Sequence, residues 1–127
     1  MVIDPSALIA VLAGEPEKDV FLGFIVDAPE PLLSAASYVE VGVIVERLPA
    51  TAAQLDPLLL ELGVEIMPVT AGQARIALDA YRRFGKGRHP AGLNYGDCFS
   101  YALAKAVGHP LLFKGDDFRK TDIEAVT

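Results

Sequence analysis

The chain opens with the segment MVIDPSALIAVL (residues 1–12), in which a short apolar run ends at an aspartate and a helix-like run follows. Met1 to Asp4 is predicted to form a buried strand, and Ser6 to Leu12 a helix that Ser6 caps and Gly14 ends. Short apolar runs keep alternating with longer helical patterns along the chain. This order is typical of βαβ units, which build a parallel sheet covered by helices on both faces. We therefore expect an α/β fold: a three-layer α/β/α sandwich around a mainly parallel sheet of about five strands.

The other elements are predicted from apolar periodicity and from the residues that break it. The run from Ala35 is rich in valine but too long for a strand, so it is predicted to be helical. The remaining predicted strands cover residues 31–33, 64–69, 111–113 and 123–126. The remaining predicted helices are Glu15–Ala28, Ala35–Leu48, a helix over some or all of Thr51–Leu62, a helix that begins after Thr70 and runs through Arg83, and Tyr95–Val107.

The composition predicts a single domain, residues 1–127, with enough apolar material for a core. The chain is 52% apolar with a mean hydropathy of +0.36, which suggests apolar surface left over for a subunit or partner. No apolar run approaches the roughly 18 residues that span a bilayer, and the first residues lack the pattern of a secretory signal. The single cysteine, Cys98, cannot form an internal disulfide, so a reducing cytoplasm is the expected location.

The net charge of −6 argues against a nucleic-acid partner, but the charges are unevenly distributed. Residues 1–70 contain eleven acids and two bases, a balance of −9, whereas residues 71–127 contain six acids and nine bases, a balance of +3. Local positive potential attracts phosphates even on an acidic protein. The alternative for the basic pair 82–83 is a solvated helix end. The candidate RNA-binding residues are Arg82, Arg83, Lys86, Arg88, Lys114 and Arg119.

Four acids stand at element ends or inside apolar runs, where a carboxylate is unusual unless something offsets its charge. Glu40 is the strongest signal, because its helical neighbours form a largely apolar face. Asp4 ends a strand, although it and Ser6 would also serve as helix caps. Asp97 heads an apolar helix, where it would also complete a capping box with Asn94. Asp117 follows a strand, where it would also serve in a turn.

If the fold brings these four carboxylates together, their mutual repulsion requires a cation. Oxygen-only ligands suit Mg²⁺, or Mn²⁺ as a second possibility. The pattern therefore indicates metal-assisted chemistry on a phosphate.

At four places the chain resembles the PIN-domain ribonucleases, and within them the VapC toxins of bacterial toxin–antitoxin pairs. The matching segments are VIDPSAL (residues 2–8), SAASYVE (34–40), LNYGDC (93–98) and LLFKGDDF (111–118). Each is weak alone, but the four occur in the family's order and the resemblance covers essentially the whole chain.

The resemblance implies a Mg²⁺- or Mn²⁺-dependent endoribonuclease that forms a homodimer and is inhibited by a cognate antitoxin. By position it makes Asp4, Glu40, Asp97 and Asp117 the metal ligands and catalytic acids, with Ser6 in support. Two positions depart from the family pattern. Pro5 stands where such proteins often have Thr or Ser, and Gly115 stands where many carry a further aspartate, so the fourth acid is either Asp116 or Asp117.

Two other functions compete with the nuclease. One is a catalytically weak PIN-like module that mainly binds a partner, with a groove formed by the predicted helices Glu15–Ala28 and Ala35–Leu48. The other is a phosphatase or phosphoacceptor domain, by analogy with folds that place an aspartate after the first strand. Phosphatases of that type usually need a second aspartate two residues later, where this chain has Ser6.

Overall fold

The computed structural model describes residues 1–126. Its strands are β1 (Val2–Ile3), β2 (Leu32–Ser34), β3 (Glu65–Met67) and β4 (Leu111–Leu112). Its helices are α1 (Pro5–Leu12), α2 (Lys18–Asp27), α3 (Ala35–Val45), α4 (Pro49–Ala52), α5 (Leu55–Glu61), α6 (Ala71–Phe84) and α7 (Tyr95–Val107), and a 3-10 turn covers Phe118–Lys120. Within these residues, no helix is both long enough and apolar enough to cross a membrane.

The sheet is parallel and has the order β3-β2-β1-β4. Val2 of β1 is aligned with Leu32 on one side and with Leu111 on the other. The expected fifth strand at residues 123–126 is reduced to an isolated parallel bridge between Ala125 and Leu111. Because the strands run in the same direction, their carboxyl ends share one edge of the sheet, the edge where ligands bind in open α/β folds.

Side chains on the central strands alternate between two cores, which confirms the three-layer sandwich. Val2 and Leu111 pack with α6 and α7, whereas Ile3 and Leu112 pack with α1, α2, α3 and α5 on the opposite face. Successive residues of a strand point to opposite faces, so strands only two residues long still contribute to both cores.

The helix ends show where local sequence signals hold and where they fail. The helix Tyr95–Val107 is confirmed, with Asn94 as its cap and Gly108 ending it in the left-handed region at φ 69°. The helix predicted over some or all of residues 51–62 corresponds to α5, and the short helix α4 precedes it. α3 ends at Val45 rather than at residue 48, four residues before the helix-restricting Pro49. α1 is capped by Asp4, one of the two expected caps, rather than by Ser6, because the Asp4 carboxylate accepts the Ser6 N–H.

Candidate active site

Asp4 directly follows β1 and is buried at the carboxyl edge of the sheet, 3% exposed. Its Oδ2 accepts hydrogen bonds from the Ser6 backbone N–H at 3.0 Å and from the Ser6 hydroxyl at 2.6 Å. Its Oδ1 accepts a hydrogen bond from the Ser100 hydroxyl at 2.6 Å. Burial raises the pKa of Asp4, while these hydrogen bonds to the ionised form lower it in part. Asp4 is therefore a cap of α1 and a buried acid at once.

Two helices reach Asp4 through a buried pair of serines. Ser100 lies in α7 and Ser37 in α3, and their hydroxyl oxygens are 3.3 Å apart. Ser37 precedes Glu40 by one turn of α3, so the same helix face carries both the serine contact and the second acid. The serine pair thus fixes α3 against α7 beside Asp4.

Glu40 is half-buried and lies against the first turn of α7. Its carboxylate contacts the Gly96 backbone so closely that a Cβ at position 96 would collide with Oε1. Burial raises the pKa of Glu40, and the nearby charges of Asp4 and Asp97 raise it further. Glu40 and Asp97 therefore meet at the first turn of α7.

Asp97 is the third residue of α7 and completes the expected capping box. Its Oδ2 accepts the Asn94 N–H at 3.0 Å, and its own N–H donates to Asn94 Oδ1 at 2.8 Å. Burial raises the pKa of Asp97 to about 6 against the opposing effect of the Asn94 hydrogen bond, and the charges of Asp4 and Asp117 add to the rise. Asp97 is thus both a cap and a carboxylate under repulsion from two other acids.

Asp117 is exposed and stands at the N-terminus of the 3-10 turn, where its side chain makes no capping hydrogen bond. Its charge contributes to the raised pKa of Asp97. The neighbouring Asp116 is also exposed. The position of Asp117 as fourth acid stays a prediction.

The four acids form a set of oxygen donors whose charges repel, which fits a divalent cation. Among residues 1–126, however, no three Asp, Glu, His or Cys side chains are grouped closely enough to hold one metal ion between them. Mg²⁺ usually keeps several waters and binds proteins through one or two carboxylates, so it does not need three direct protein ligands. The fit is therefore one of donor chemistry and charge, and water would have to complete the coordination of an ion.

Lys114, a predicted RNA-binding residue, is paired with acids at the rim of this site. Its Nζ lies 3.2 Å from a carboxylate oxygen of Glu15 and 3.2 Å from one of Glu17. Its backbone N–H donates to the Ser6 hydroxyl at 3.0 Å, which places it next to Asp4. An RNA phosphate would have to compete with the two glutamates for this cation.

The other predicted RNA-binding residues are exposed, and their surroundings differ. Arg83 is 3.6 Å from Asp79 and 3.6 Å from Asp122, which ties α6 to the C-terminal segment. The guanidinium groups of Arg88 and Arg119 lie over the rings of Tyr81 and Phe113. Lys86 lines an apolar groove between α6 and α7. Arg82 is in the last turn of α6.

Three residues of the site were missed or misplaced by the sequence reasoning. Ser100 lies one turn after Asp97 in α7, and its hydroxyl is bonded to Asp4. Ser37 and Gly96 were not predicted as site residues, because their roles depend on how closely α3 approaches α7. The spacing of Ser37 and Glu40, one helical turn apart, is a signal that would have placed Ser37 on the site face.

Comparisons with known proteins agree on one family. The family model described as PIN domain matches residues 1–124. A protein named Ribonuclease VapC from Mycolicibacterium smegmatis is 52% identical over 128 residues, which cover 99% of this chain and 99% of that protein. Ribonuclease VapC30 from Mycobacterium tuberculosis is 49% identical over 128 residues, covering 99% and 98%.

Solved structures share the fold at lower identity. Mycobacterium tuberculosis VapC20, described as a toxin that cleaves the sarcin-ricin loop, superimposes with a TM-score of 0.79 at 18% identity, covering 98% of this chain and 97% of that one. A chain of a toxin–antitoxin complex from Klebsiella pneumoniae gives a TM-score of 0.75 at 19% identity, covering 99% and 95%.

Proposed function

The chain belongs to the VapC ribonucleases of the PIN-domain family, and on this premise we propose that it is a divalent-metal-dependent endoribonuclease. It acts as the toxin of a toxin–antitoxin pair in the cytoplasm, as one domain spanning residues 1–127. The observation that carries this proposal is the meeting of three acids at the first turns of α7. Asp97 lies in this helix, Glu40 contacts its Gly96, and Asp4 is bonded to its Ser100.

Asp4, Glu40 and Asp97 would hold Mg²⁺, or Mn²⁺, directly or through water, with Asp117 in support. When bound, the ion would make a coordinated water more acidic and stabilise charge on the phosphate. Asp4 is oriented by the hydroxyls of Ser6 and Ser100.

The RNA backbone would be bound by the basic residues around this edge. Electrostatic attraction is needed because an acidic pocket alone repels a phosphodiester. Lys114 is the basic residue bonded through its backbone to the Ser6 of the site, while Lys86 and Arg88 belong to the loop that leads into α7. Sequence preference in RNA usually comes from unpaired bases and shape.

The test is cleavage of a single-stranded RNA in Mg²⁺ by Asp4→Asn and Asp97→Asn, with Asp79→Asn as the matched control. Asp79 is an exposed acid of α6 outside the site. We expect EDTA-sensitive cleavage by the wild type and the control, and loss of cleavage in both site variants with their fold retained. Full activity in either site variant would exclude that residue as a ligand.

A cognate antitoxin is the proposed protein partner, and a groove between α2 and α5 supports this. The groove is lined mostly by apolar side chains, among them Leu22, Val26 and Leu58, together with one lysine, one glutamine and one glutamate. It would accept the apolar face of an amphipathic helix. The sequence suggested a groove between α2 and α3, whereas the structure has this groove between α2 and α5. Leu58→Glu should weaken antitoxin binding without affecting cleavage by the free enzyme.

The same groove is the observation that favours the alternative function, a catalytically weak module that mainly binds a partner. Loss of toxicity on expression of Asp97→Asn, with antitoxin binding retained, would support the enzyme. Toxicity that survives in this variant would support the binding module.

The homodimer is a further proposal, supported by apolar surface on α6 and α7. Tyr95 is 79% exposed and Leu78 is 52% exposed, and both line the α6–α7 groove. Exposed apolar patches of this kind commonly mark protein–protein interfaces. Light scattering should give a dimer mass for the wild type and a monomer mass for Tyr95→Glu.

A further inference from the structure

When Asp4 is ionised, as a ligand of a cation must be, the hydrogen bonds around it have a single possible direction. An ionised carboxylate offers about four lone-pair sites and no donor. The Ser100 hydroxyl must therefore donate to Asp4 Oδ1, and since its one proton is used there, the contact between Ser37 and Ser100 must run from Ser37 to Ser100. Ser37 and Ser100 are 2% and 0% exposed, so water does not compete for these hydroxyls.

A second relay of the same kind ends on the other carboxylate oxygen. The Lys114 backbone N–H donates to the Ser6 hydroxyl, which donates to Asp4 Oδ2. The Ser6 N–H occupies the remaining site on Oδ2. Each hydroxyl that holds Asp4 is thus itself held by a donor behind it, and neither rotates away without losing a bond.

Counting lone pairs shows what is left for a ligand. Oδ2 accepts two hydrogen bonds and Oδ1 accepts one, so of the roughly four sites one is free, on Oδ1. Which of the two Oδ1 sites is free is decided by Ser100 alone. Groups of this kind, which orient a ligand without touching the ion, strongly affect metal affinity.

We propose that Ser100, oriented by Ser37, is a positioning residue that leaves Asp4 one free lone pair and fixes its direction before a cation arrives. Asp4 is then a monodentate ligand whose geometry is set by α3 and α7 together. Because Ser37 also precedes Glu40 by one turn of α3, the relay couples the positions of two acids. The inference rests on the proposed metal-dependent function and adds to it the residues that preorganise the site.

The experiment measures Mn²⁺ binding by calorimetry and by electron paramagnetic resonance, for the wild type, Ser100→Ala and Ser37→Ala. Thr70→Ala is the control. It removes a hydroxyl that caps α6, where the Gln73 N–H donates to Thr70, and it lies outside the site. Urea unfolding of each variant separates loss of fold from loss of affinity.

We expect the Mn²⁺ dissociation constant to rise about 10- to 100-fold in Ser100→Ala, to rise less in Ser37→Ala, and to stay unchanged in Thr70→Ala. Cleavage by Ser100→Ala should recover at saturating Mn²⁺, which a purely structural defect would not allow. If Ser100→Ala does not fold, Ser100→Cys matches the serine in shape with a weaker donor and should give an intermediate constant.

A folded Ser100→Ala or Ser100→Cys whose Mn²⁺ constant stays within twofold of the wild type would overturn the inference. That result is distinguishable from failure of the proposed function. A wild type that binds no Mn²⁺ and cleaves no RNA would exclude the enzyme itself, whereas a wild type that does both, with an unaffected variant, would remove only the role of Ser100.

Discussion

Asp97→Asn should stabilise the metal-free protein at neutral pH while removing its activity. Burial and the charges of two other acids raise the pKa of Asp97 from 3.8 to about 6. A rise of this size corresponds to about 3 kcal/mol at most. Because Asp97 is only partly buried, screening by solvent reduces the cost of its charge to about 1–2 kcal/mol.

The substitution keeps the cap and removes the charge. The asparagine oxygen can still accept the Asn94 N–H that Asp97 accepts now. What is lost is a negative charge at a helix N-terminus, which is favourable by about 0.3–1 kcal/mol. The net expectation is a gain of about 1 kcal/mol in the free energy of unfolding at pH 7.5 in EDTA, or about 3–5 °C in melting temperature.

The sign of the pH dependence follows from linkage. An acid whose pKa is raised by folding binds its proton more tightly in the native state, so stability falls as pH rises from the unfolded value, near 3.8, through about 6. The difference in the free energy of unfolding between Asp97→Asn and the wild type should therefore be near zero below pH 3.8 and reach its full size above about pH 6.5.

Urea unfolding at several pH values between 4 and 7.5, in EDTA, measures this directly. Asp79→Asn, the exposed acid of α6, is again the control and should change little. An Asp97→Asn variant that is less stable than the wild type at pH 7.5, or a difference that does not grow between pH 4 and 6.5, would refute the reasoning.

Replacing Gly96 with alanine puts a methyl group where the Glu40 carboxylate lies, so cleavage should fall by about 10- to 100-fold. Alanine suits a helix better than glycine by up to about 1 kcal/mol, so the stability to urea should not fall. A variant that lost both cleavage and stability would mean that the helix itself is disturbed. Glu17→Gln removes one of the two acids paired with Lys114 and should tighten RNA binding by about two- to fivefold at low salt, as measured by fluorescence anisotropy. An equal effect from the exposed Glu61→Gln would show that net charge alone is responsible. Adding Mg²⁺ at 100 times its dissociation constant should stabilise the wild type by about 2.7 kcal/mol. If Mg²⁺ raised the melting temperature of Asp97→Asn as much as that of the wild type, the assigned ligands would be contradicted.

The helix at the heart of the site shows how much local sequence could predict. Asn94, Asp97 and Gly108 are start and stop signals within one segment, and both ends of α7 were predicted to the residue. The same local reasoning left two candidate caps at α1, Asp4 and Ser6, and only the backbone geometry decides for Asp4. It failed at the C-terminus, where an apolar run makes a single bridge instead of a strand.

The sequence by itself determined the alternation of strands and helices, the two faces of the sheet, and the acids stranded in apolar surroundings. These properties depend on the order of residues along a few turns or strands, and the order is visible in the chain. Only the tertiary structure decided that Ser100 bonds Asp4 and that Gly96 makes room for Glu40. Those contacts join residues 96 and 56 positions apart, and their existence depends on the distance between packed helices, which is set by the whole core.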